Sequence, residues 1–283
     1  MMSYPMISLI LATIQRTGEV ENFLCKLMEQ PYKEFEMILV DQNLDDRLIP
    51  IINIYKDQIP LIHVISQPGL SKARNIGLPF VKGELVAFPD DDCWYPTNLL
   101  SDIILNFIHH PEWDGITVTA SSGKNETSIW KWDQVPGRCT VTNVWKRGMS
   151  ITCFLRRRVI DTIGLFDEEL GLGSLTPWQS GEETDYLIRT IRAGFHIQYL
   201  PNLSVYHLDA LPDYTHQEIQ KAYFSGCGMG HVLRKHSYPI LYSLSTVIRP
   251  LLSFGRANVI GHPKKATYFK AIARGRWDGL IGK

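Results

Sequence analysis

The chain has little of what builds a disulfide scaffold, a membrane span or a repeat array. Its five cysteines in 283 residues (Cys25, Cys93, Cys139, Cys153, Cys227) are scattered, odd in number and form no C-x-x-C pair. That excludes a disulfide framework and a zinc ribbon, and it suits a reducing compartment, so a cytoplasmic location is expected. Long apolar runs are also missing. Ser237–Ile248 carries no charge, but it falls well short of the ~20 residues a spanning helix needs. The first apolar run, Ile7–Ile14, is short and follows no basic region, so it reads as a first strand and not as a signal peptide. No internal repeat or low-complexity segment occurs. Net charge is absent as well, with 29 Lys/Arg balancing 29 Asp/Glu.

The balance is uneven along the chain. From His231 to Lys283 there are ten Lys/Arg against one acid, Asp278, so residues 1–230 hold the compensating excess of carboxylates. An acidic body with a basic tail points to an anionic surface as the tail's partner. The tail also carries the apolar stretch Tyr238–Leu252, broken by Pro239 and Pro250, and the aromatics Phe254, Tyr268, Phe269 and Trp277. Basic plus aromatic beside apolar suits a helix lying in a membrane interface. The other reading is a basic helical subdomain that packs on the rest of the protein. No nucleic acid is expected, because no recognition motif accompanies the charge.

The body opens with apolar runs alternating with helical spacings. Met6–Ala12, Phe35–Asp41 and Leu85–Phe88 read as buried strands, and Leu61–Ile65 as a further strand. Between them, Glu19–Glu29, Arg47–Lys56 and Ser71–Val81 read as helices, the last with Ser71 as N-cap and Gly83 beyond its end. The β-α-β-α-β-α-β order predicts an α/β fold with a mostly parallel sheet flanked by helices. Thr97–His109 continues as an amphipathic helix ended by Pro111.

The most informative stretch is FPDDDCWYP, residues 88–96. Three adjacent carboxylates repel one another and call for solvent, counter-cations or a metal. They stand where a strand ends, which is where open α/β sheets bind ligands. A divalent-metal site for an anionic substrate, with Asp90 and Asp92 as the working pair, is one reading; a solvated acidic turn is the other. Asp41 repeats the logic, since it too closes a strand, and two such ends should meet at one edge of the sheet. A lone Asp there also serves as an ordinary turn residue. In Gly69-Leu-Ser-Lys-Ala-Arg-Asn-Ile-Gly77, Arg74 and Asn75 lie early in a helix, where amide groups and the dipole favour anions. Arg74 could equally be an exposed residue of an amphipathic helix.

The pieces ISLILATIQR, ILVDQNLDD, GLSKARNIG and FPDDDCWYP, in that order and spacing, resemble the nucleotide-sugar half of a family 2 glycosyltransferase with the GT-A fold. The resemblance implies an inverting transfer of a sugar from a nucleoside diphosphate donor. On this chain it puts Asp41 on the nucleobase, with Thr13 lining the pocket. Arg74 faces base or diphosphate, Asp90 the ribose, and Asp91 belongs to the same donor-binding loop. Asp92 ligates a Mn²⁺ or Mg²⁺ that bridges the phosphates. Those ions prefer hard oxygen ligands and are held by one or two carboxylates plus phosphates. The family's first strand ends in Pro-Thr-(Tyr/Phe)-Asn-Arg; here Thr13 and Arg16 match, while Ala12, Ile14 and Gln15 do not.

Later, Gly181-Glu182-Glu183-Thr184-Asp185 and Arg192-Ala193-Gly194-Phe195 resemble the family's Gly-Glu-Asp-x-Asp and Arg-Ala-Gly-aromatic. The catalytic Asp aligns with Glu183, which would take the acceptor's proton; Glu182 and Asp185 are reserve candidates. Acidity in a helix's first turn is also ordinary capping. His207, after the extended segments His196–Tyr199 and Leu203–His207 around Pro201, matches a metal-ligating His of the family. A lone His is otherwise a hydrogen-bonded core or surface residue. Trp113, Trp130, Trp132 and Trp145 stack on acceptor sugars or form local core. Asn125-Glu-Thr127 is a glycosylation sequon that a cytoplasmic chain would not use. In Gln217–His236 the spaced glycines Gly226, Gly228 and Gly230 follow no strand, so they suit close helix packing rather than nucleotide binding.

The expected organisation is a catalytic domain over residues 1–215, divided into a donor half (1–96) and an acceptor half (97–215). A helical region over 216–283 follows, free to associate with a membrane. The expected acceptor is a glycan or lipid-linked sugar, in bacterial surface-polysaccharide assembly, with the protein peripheral at the inner face of the cell membrane. A catalytically silent nucleotide-sugar-binding or scaffolding subunit is the competing function.

Overall fold

The computed structural model describes residues 5–122, 131–207 and 213–283. Trp130 and the Asn125–Thr127 sequon lie outside them. In chain order the elements are β1 (Ile7–Thr13), α1 (Gly18–Met28), β2 (Phe35–Asp41), α2 (Ile49–Tyr55), β3 (Leu61–Ile65), α3 (Leu70–Gly77), β4 (Leu85–Ala87), β5 (Cys93–Trp94), α4 (Leu99–His109), β6 (Gly115–Ser121), β7 (Gly137–Arg138), β8 (Cys153–Arg156), α5 (Arg157–Ile163), α6 (Glu182–Arg192), β9 (Ile197–His207), α7 (His216–Lys235), α8 (Ile240–Val259) and α9 (Pro263–Ile281). The chain forms two compact units. The first comprises Met1–Pro68, Lys72–Phe166 and Tyr186–Asp209; the second comprises Gly69–Ser71, Asp167–Asp185 and Ala210–Lys283.

The first unit is an α/β sheet in the order β3-β2-β1-β4-β8-β6-β9-β5, with β7 on β9. β3, β2, β1 and β4 run parallel; β1, β2 and β4 are buried and carry near-continuous aliphatic sequence, while β3 is a half-buried edge strand. β8 enters antiparallel between β4 and β6. The core of α1, α2 and α4 against one face is aliphatic and aromatic, with Phe23, Leu24, Leu27, Ile103 and Phe107 all nearly inaccessible. Trp113 belongs to this core and stacks on His110 at 3.8 Å, and Trp132 packs against it, so those two tryptophans serve packing. Glu36 sits inside β2 because Ser8 Oγ donates to it at 2.5 Å and the Lys82 amide at 2.6 Å.

Two expectations are corrected. Pro201 does not divide the extended segments. Ile197–His207 is one strand, and the extra residues are absorbed by a register shift opposite Val118/Thr119, the ordinary way a strand accommodates proline. Ser71 is not an N-cap: α3 begins at Leu70, and the Ser71 hydroxyl donates to the Leu170 carbonyl at 2.6 Å.

The second unit is built on α7, α8 and α9. Thr215 and Glu218 close a reciprocal capping box at the start of α7. Its spaced glycines do pack closely. A Cβ on Gly226 would lie 2.8 Å from the Ile272 carbonyl oxygen and one on Gly230 2.3 Å from that of Arg276. A Cβ on Gly275 of α9 would lie 2.0 Å from the Tyr223 carbonyl oxygen. Gly228 is tight against Ser180 instead. Pro250 was expected to break the apolar stretch, yet α8 runs through it. A proline there removes the amide that would satisfy the carbonyl four residues earlier. Arg276 Nη1 donates to that carbonyl, Thr246 O, at 2.7 Å. Among the described residues no helix is long and apolar enough to cross a membrane.

Candidate active site

In the first unit the carboxyl end of β1 gathers most of the sequence's candidates. Thr13 is in register with Asp41 on β2, and Ala12 forms a parallel bridge to Asp90 on the other side. The two acidic strand ends therefore do meet, on either side of one strand. Asp41 is 2% exposed. Its Oδ1 accepts from the Asn43 amide (2.8 Å) and side chain (2.7 Å), and its Oδ2 lies 3.1 Å from His63 Nε2. Arg74 is not an exposed residue: it is 1% exposed, 3.2 Å from Asp90 Oδ1, with its guanidinium over the Phe166 ring. A buried cation needs such a partner.

The three aspartates have three different environments. Asp90 pairs with Arg74. Asp91 accepts from Thr13 Oγ1 at 2.6 Å and from Arg16 Nη1 at 2.6 Å. Burial pushes the Asp91 carboxyl up despite those bonds, aided by the neighbouring Asp92 charge. Asp92, half-buried like Asp90, lies 2.6 Å from Arg16 and 3.5 Å from His207 Nε2. The His207 hydrogen bond, with Arg16, holds it well below the usual carboxylate range against the opposing effect of burial. His207 reaches this place because β5 and β9 pair antiparallel, with Cys93 opposite His207. The acidic loop itself supplies the short strand that brings the histidine in.

Arg16 is the cation that neutralises the loop. Burial lowers its affinity for the proton, and the Asp92 hydrogen bond together with both carboxylate charges more than reverses that. Sequence reasoning noted Arg16 only as a motif match and gave it no role. His63 was missed as well; its register position one strand over from Asp41 is visible only once β2 and β3 are paired.

Asp92 and His207 offer one hard oxygen and one imidazole nitrogen separated by a distance that one cation could bridge. Such a pair fits a divalent ion whose remaining ligands come from phosphate. Among the described residues, one group of three potential ligands converges elsewhere, in the second unit: Asp167, Glu169 and His231. That group already faces two cations, with Lys235 Nζ 2.6 Å from Asp167 and Arg234 Nη2 3.1 Å from His231 Nδ1.

The acidic start of α6 lies in the second unit. Gly181, at φ +87°, turns the chain into the helix, a conformation that favours glycine. The three candidates then separate. Glu182 is buried and Asp185 fully so, while Glu183 is half-buried. Asp185 Oδ1 lies 2.8 Å from His236 Nε2 and 2.7 Å from Lys235 Nζ, both at the C-terminal end of α7. Its charge is thus matched by side chains that hold two helix ends together, which leaves Glu183 as the most accessible carboxylate of the trio.

The sequence matches the model of "Glycosyl transferase family 2" over residues 8–164. It is 32% identical over 100 residues to an Escherichia coli UDP-Glc:alpha-D-GlcNAc-diphosphoundecaprenol beta-1,3-glucosyltransferase, WfaP, covering 35% of this chain and 40% of that one. It is 31% identical over 114 residues to an uncharacterized glycosyltransferase of Haemophilus influenzae, covering 38% of each. The chain thus spans well under half the length of these curated relatives. In fold it resembles the mannosyltransferase PcManGT of Pyrobaculum calidifontis, in complex with GDP-Man and Mn²⁺, with TM-score 0.68, 15% identity and coverage of 100% of this chain and 89% of that one. It also resembles S. aureus TarS 1-349 in complex with UDP-GlcNAc, with TM-score 0.58, 18% identity and coverage of 98% and 92%. The GT-A architecture expected from the sequence is therefore the one observed.

Proposed function

The chain belongs to glycosyl transferase family 2, and from that premise we propose an inverting transfer of a sugar from a nucleoside diphosphate donor to a hydroxyl of a glycan or lipid-linked acceptor. The setting is bacterial surface-polysaccharide assembly, at the inner face of the cell membrane. The observation that carries the reading is the gathering of Thr13, Asp41, Arg16, Asp90, Asp91, Asp92 and His207 around the end of β1. The printed names of WfaP and of the TarS and PcManGT complexes supply the ligand classes.

Asp41, with His63 and Asn43 fixing its two oxygens, accepts from a base N–H, and Thr13 lines the pocket. Asp90, steadied by buried Arg74, accepts from the ribose hydroxyls. Asp91 fixes Arg16 through the bonds it makes. Asp92 and His207 would hold a Mn²⁺ or Mg²⁺ ion, which when bound offsets charge on the departing diphosphate. Glu183 takes the proton of the acceptor hydroxyl. The acceptor oxygen then bonds to the anomeric carbon while the bond to the diphosphate oxygen breaks, so configuration inverts in one displacement.

The test has two parts. Thermal shifts against UDP, GDP and dTDP and their sugars, with and without Mn²⁺, should show at least one stabilising pair, because a ligand that binds only the native state must raise stability. Stabilisation by none of them sinks the donor assignment. Glu183→Gln should then keep the donor-induced shift and lose transfer by roughly 10²–10⁴-fold, the usual worth of a general base. Transfer at the normal rate would remove Glu183 from the chemistry. An unaltered chain that binds donor yet transfers to no acceptor would favour the silent nucleotide-sugar-binding subunit.

A further inference from the structure

The helix α8 is built inside out. The residues it buries are Ser243, Thr246, Val247, Pro250 and Ala257, mostly small or polar. The residues it shows to solvent are large and aliphatic: Ile240 (68% exposed), Leu241 (80%), Ile248 (50%), Leu251 (45%), Leu252 (69%) and Val259 (88%). With Leu244 and Gly255 they recur every three or four residues and so lie on one stripe along five turns. A surface helix of a globular protein normally carries its aliphatics toward the core, and a continuous exposed apolar patch marks an interaction site.

Charge identifies the partner. Between Glu218 and Asp278 the chain has no carboxylate and ten Lys/Arg. Exposed Arg249 and Arg256 border the stripe, each one residue beyond a member of it, and α9 adds exposed Lys264, Lys270 and Arg274. A protein partner would have to match an acidic ring around an apolar ridge. An anionic bilayer offers both continuously: headgroup charge for the arginines and acyl chains for the leucines. Trp277, 46% exposed on α9, is a residue type enriched at that boundary. The helix lies on the membrane and does not cross it, since none of the described helices is long and apolar enough to span.

We infer that the outward face of α8 seats this protein on an anionic lipid surface, Leu241, Ile248 and Leu252 entering the acyl boundary while Arg249 and Arg256 hold the headgroups. The inference names the lipid partner of the membrane reading above and rests on it for location. It does not need the donor site, so its test is run without nucleotide.

The full chain is floated with phosphatidylcholine vesicles carrying phosphatidylglycerol and with phosphatidylcholine vesicles alone. Wild type is expected to float with the anionic vesicles and to be released by high salt. The triple variant Leu241→Ser, Ile248→Ser, Leu252→Ser should bind about tenfold or more weakly while nearly keeping its melting temperature, because half or more of each residue is exposed. Arg249→Gln with Arg256→Gln should abolish the preference for anionic over neutral vesicles. Wild type left at the bottom of the gradient overturns the inference, and so does a triple variant that floats like wild type. A third overturning result is a wild-type dimer in sedimentation that the triple variant turns into monomer without altering flotation; the stripe would then be a contact between copies. Each outcome leaves the donor thermal shifts untouched, so failure here is distinguishable from failure of the glycosyl-transfer reading.

Discussion

Gln15 is one of three non-glycine residues with positive φ among the described residues, at 58°. It sits where the family's first strand carries Asn, the side chain that tolerates the left-handed region best after glycine. Its amide donates to Asn43 Oδ1 at 2.6 Å, so the turn is held by the neighbour of Asp41. Gln15→Asn should raise stability by about 0.5–1 kcal/mol, read as a higher melting temperature; an unchanged or lower value would mean that Asn43 fixes the turn regardless of the residue. His231 makes a second prediction at this scale. It is 6% exposed, stacked on Trp178 at 3.6 Å and accepting from Arg234. Burial, then the Arg234 charge, pushes its imidazole down to about 4 from the usual 6.5. Below pH ~6.5 the unfolded chain takes up a proton that the folded chain refuses. Stability should therefore be level above about pH 7 and fall as pH drops from 6.5 toward 4, by up to ~3 kcal/mol. His231→Gln should flatten that slope in a melting series; an equal slope would assign the loss to other groups.

At the scale of elements, α8 and α9 depend on one guanidinium. Pro250 deprives the Thr246 carbonyl of its helical donor, and Arg276, reaching across from α9, replaces it. Burial lowers the Arg276 pKa, and a lysine could not reproduce the planar fork. Arg276→Met should cost about 1–3 kcal/mol by leaving a carbonyl unsatisfied. Pairing it with Pro250→Ala, which restores the amide, should recover part of that loss. If the double variant is no better than the single, the bond is incidental. The same elements show what could be read in advance. Aliphatic continuity set β1 and β2 to within a residue, because burial on both faces leaves no choice of residue type. Helical patterning over Gln217–His236 placed α7 to within one residue. The strand β9 and the unbroken α8 could not be read this way, because local rules assign proline a stop. Only a facing strand or a facing arginine reveals why the chain continues.

For the whole molecule, legibility followed sequence distance. Asp41, Asp90 and Asp92 sit at strand ends, so a parallel order alone brought them together. Arg16, His63, Lys235 and His236 gain their roles from partners tens of residues away, and no local pattern announces such pairs. The second unit draws on three separate stretches of chain, with a consequence for truncation. A fragment ending at residue 215 keeps Asp185 but loses Lys235 and His236, the ion-pair and hydrogen-bond partners that α7 gives it. Breaking a buried ion pair by removing one partner costs about 3–5 kcal/mol. The fragment should melt far below the full chain, or fail to accumulate as folded protein. A melting point within a few degrees would show that the helix carrying Glu183 needs no help from α7.

The inverted pattern of α8 also has a practical consequence at the bench. Stored in plain buffer, such a ridge is expected to drive concentration-dependent clumping. Kosmotropic salts like ammonium sulfate should worsen it, and a trace of mild non-ionic detergent should disperse it.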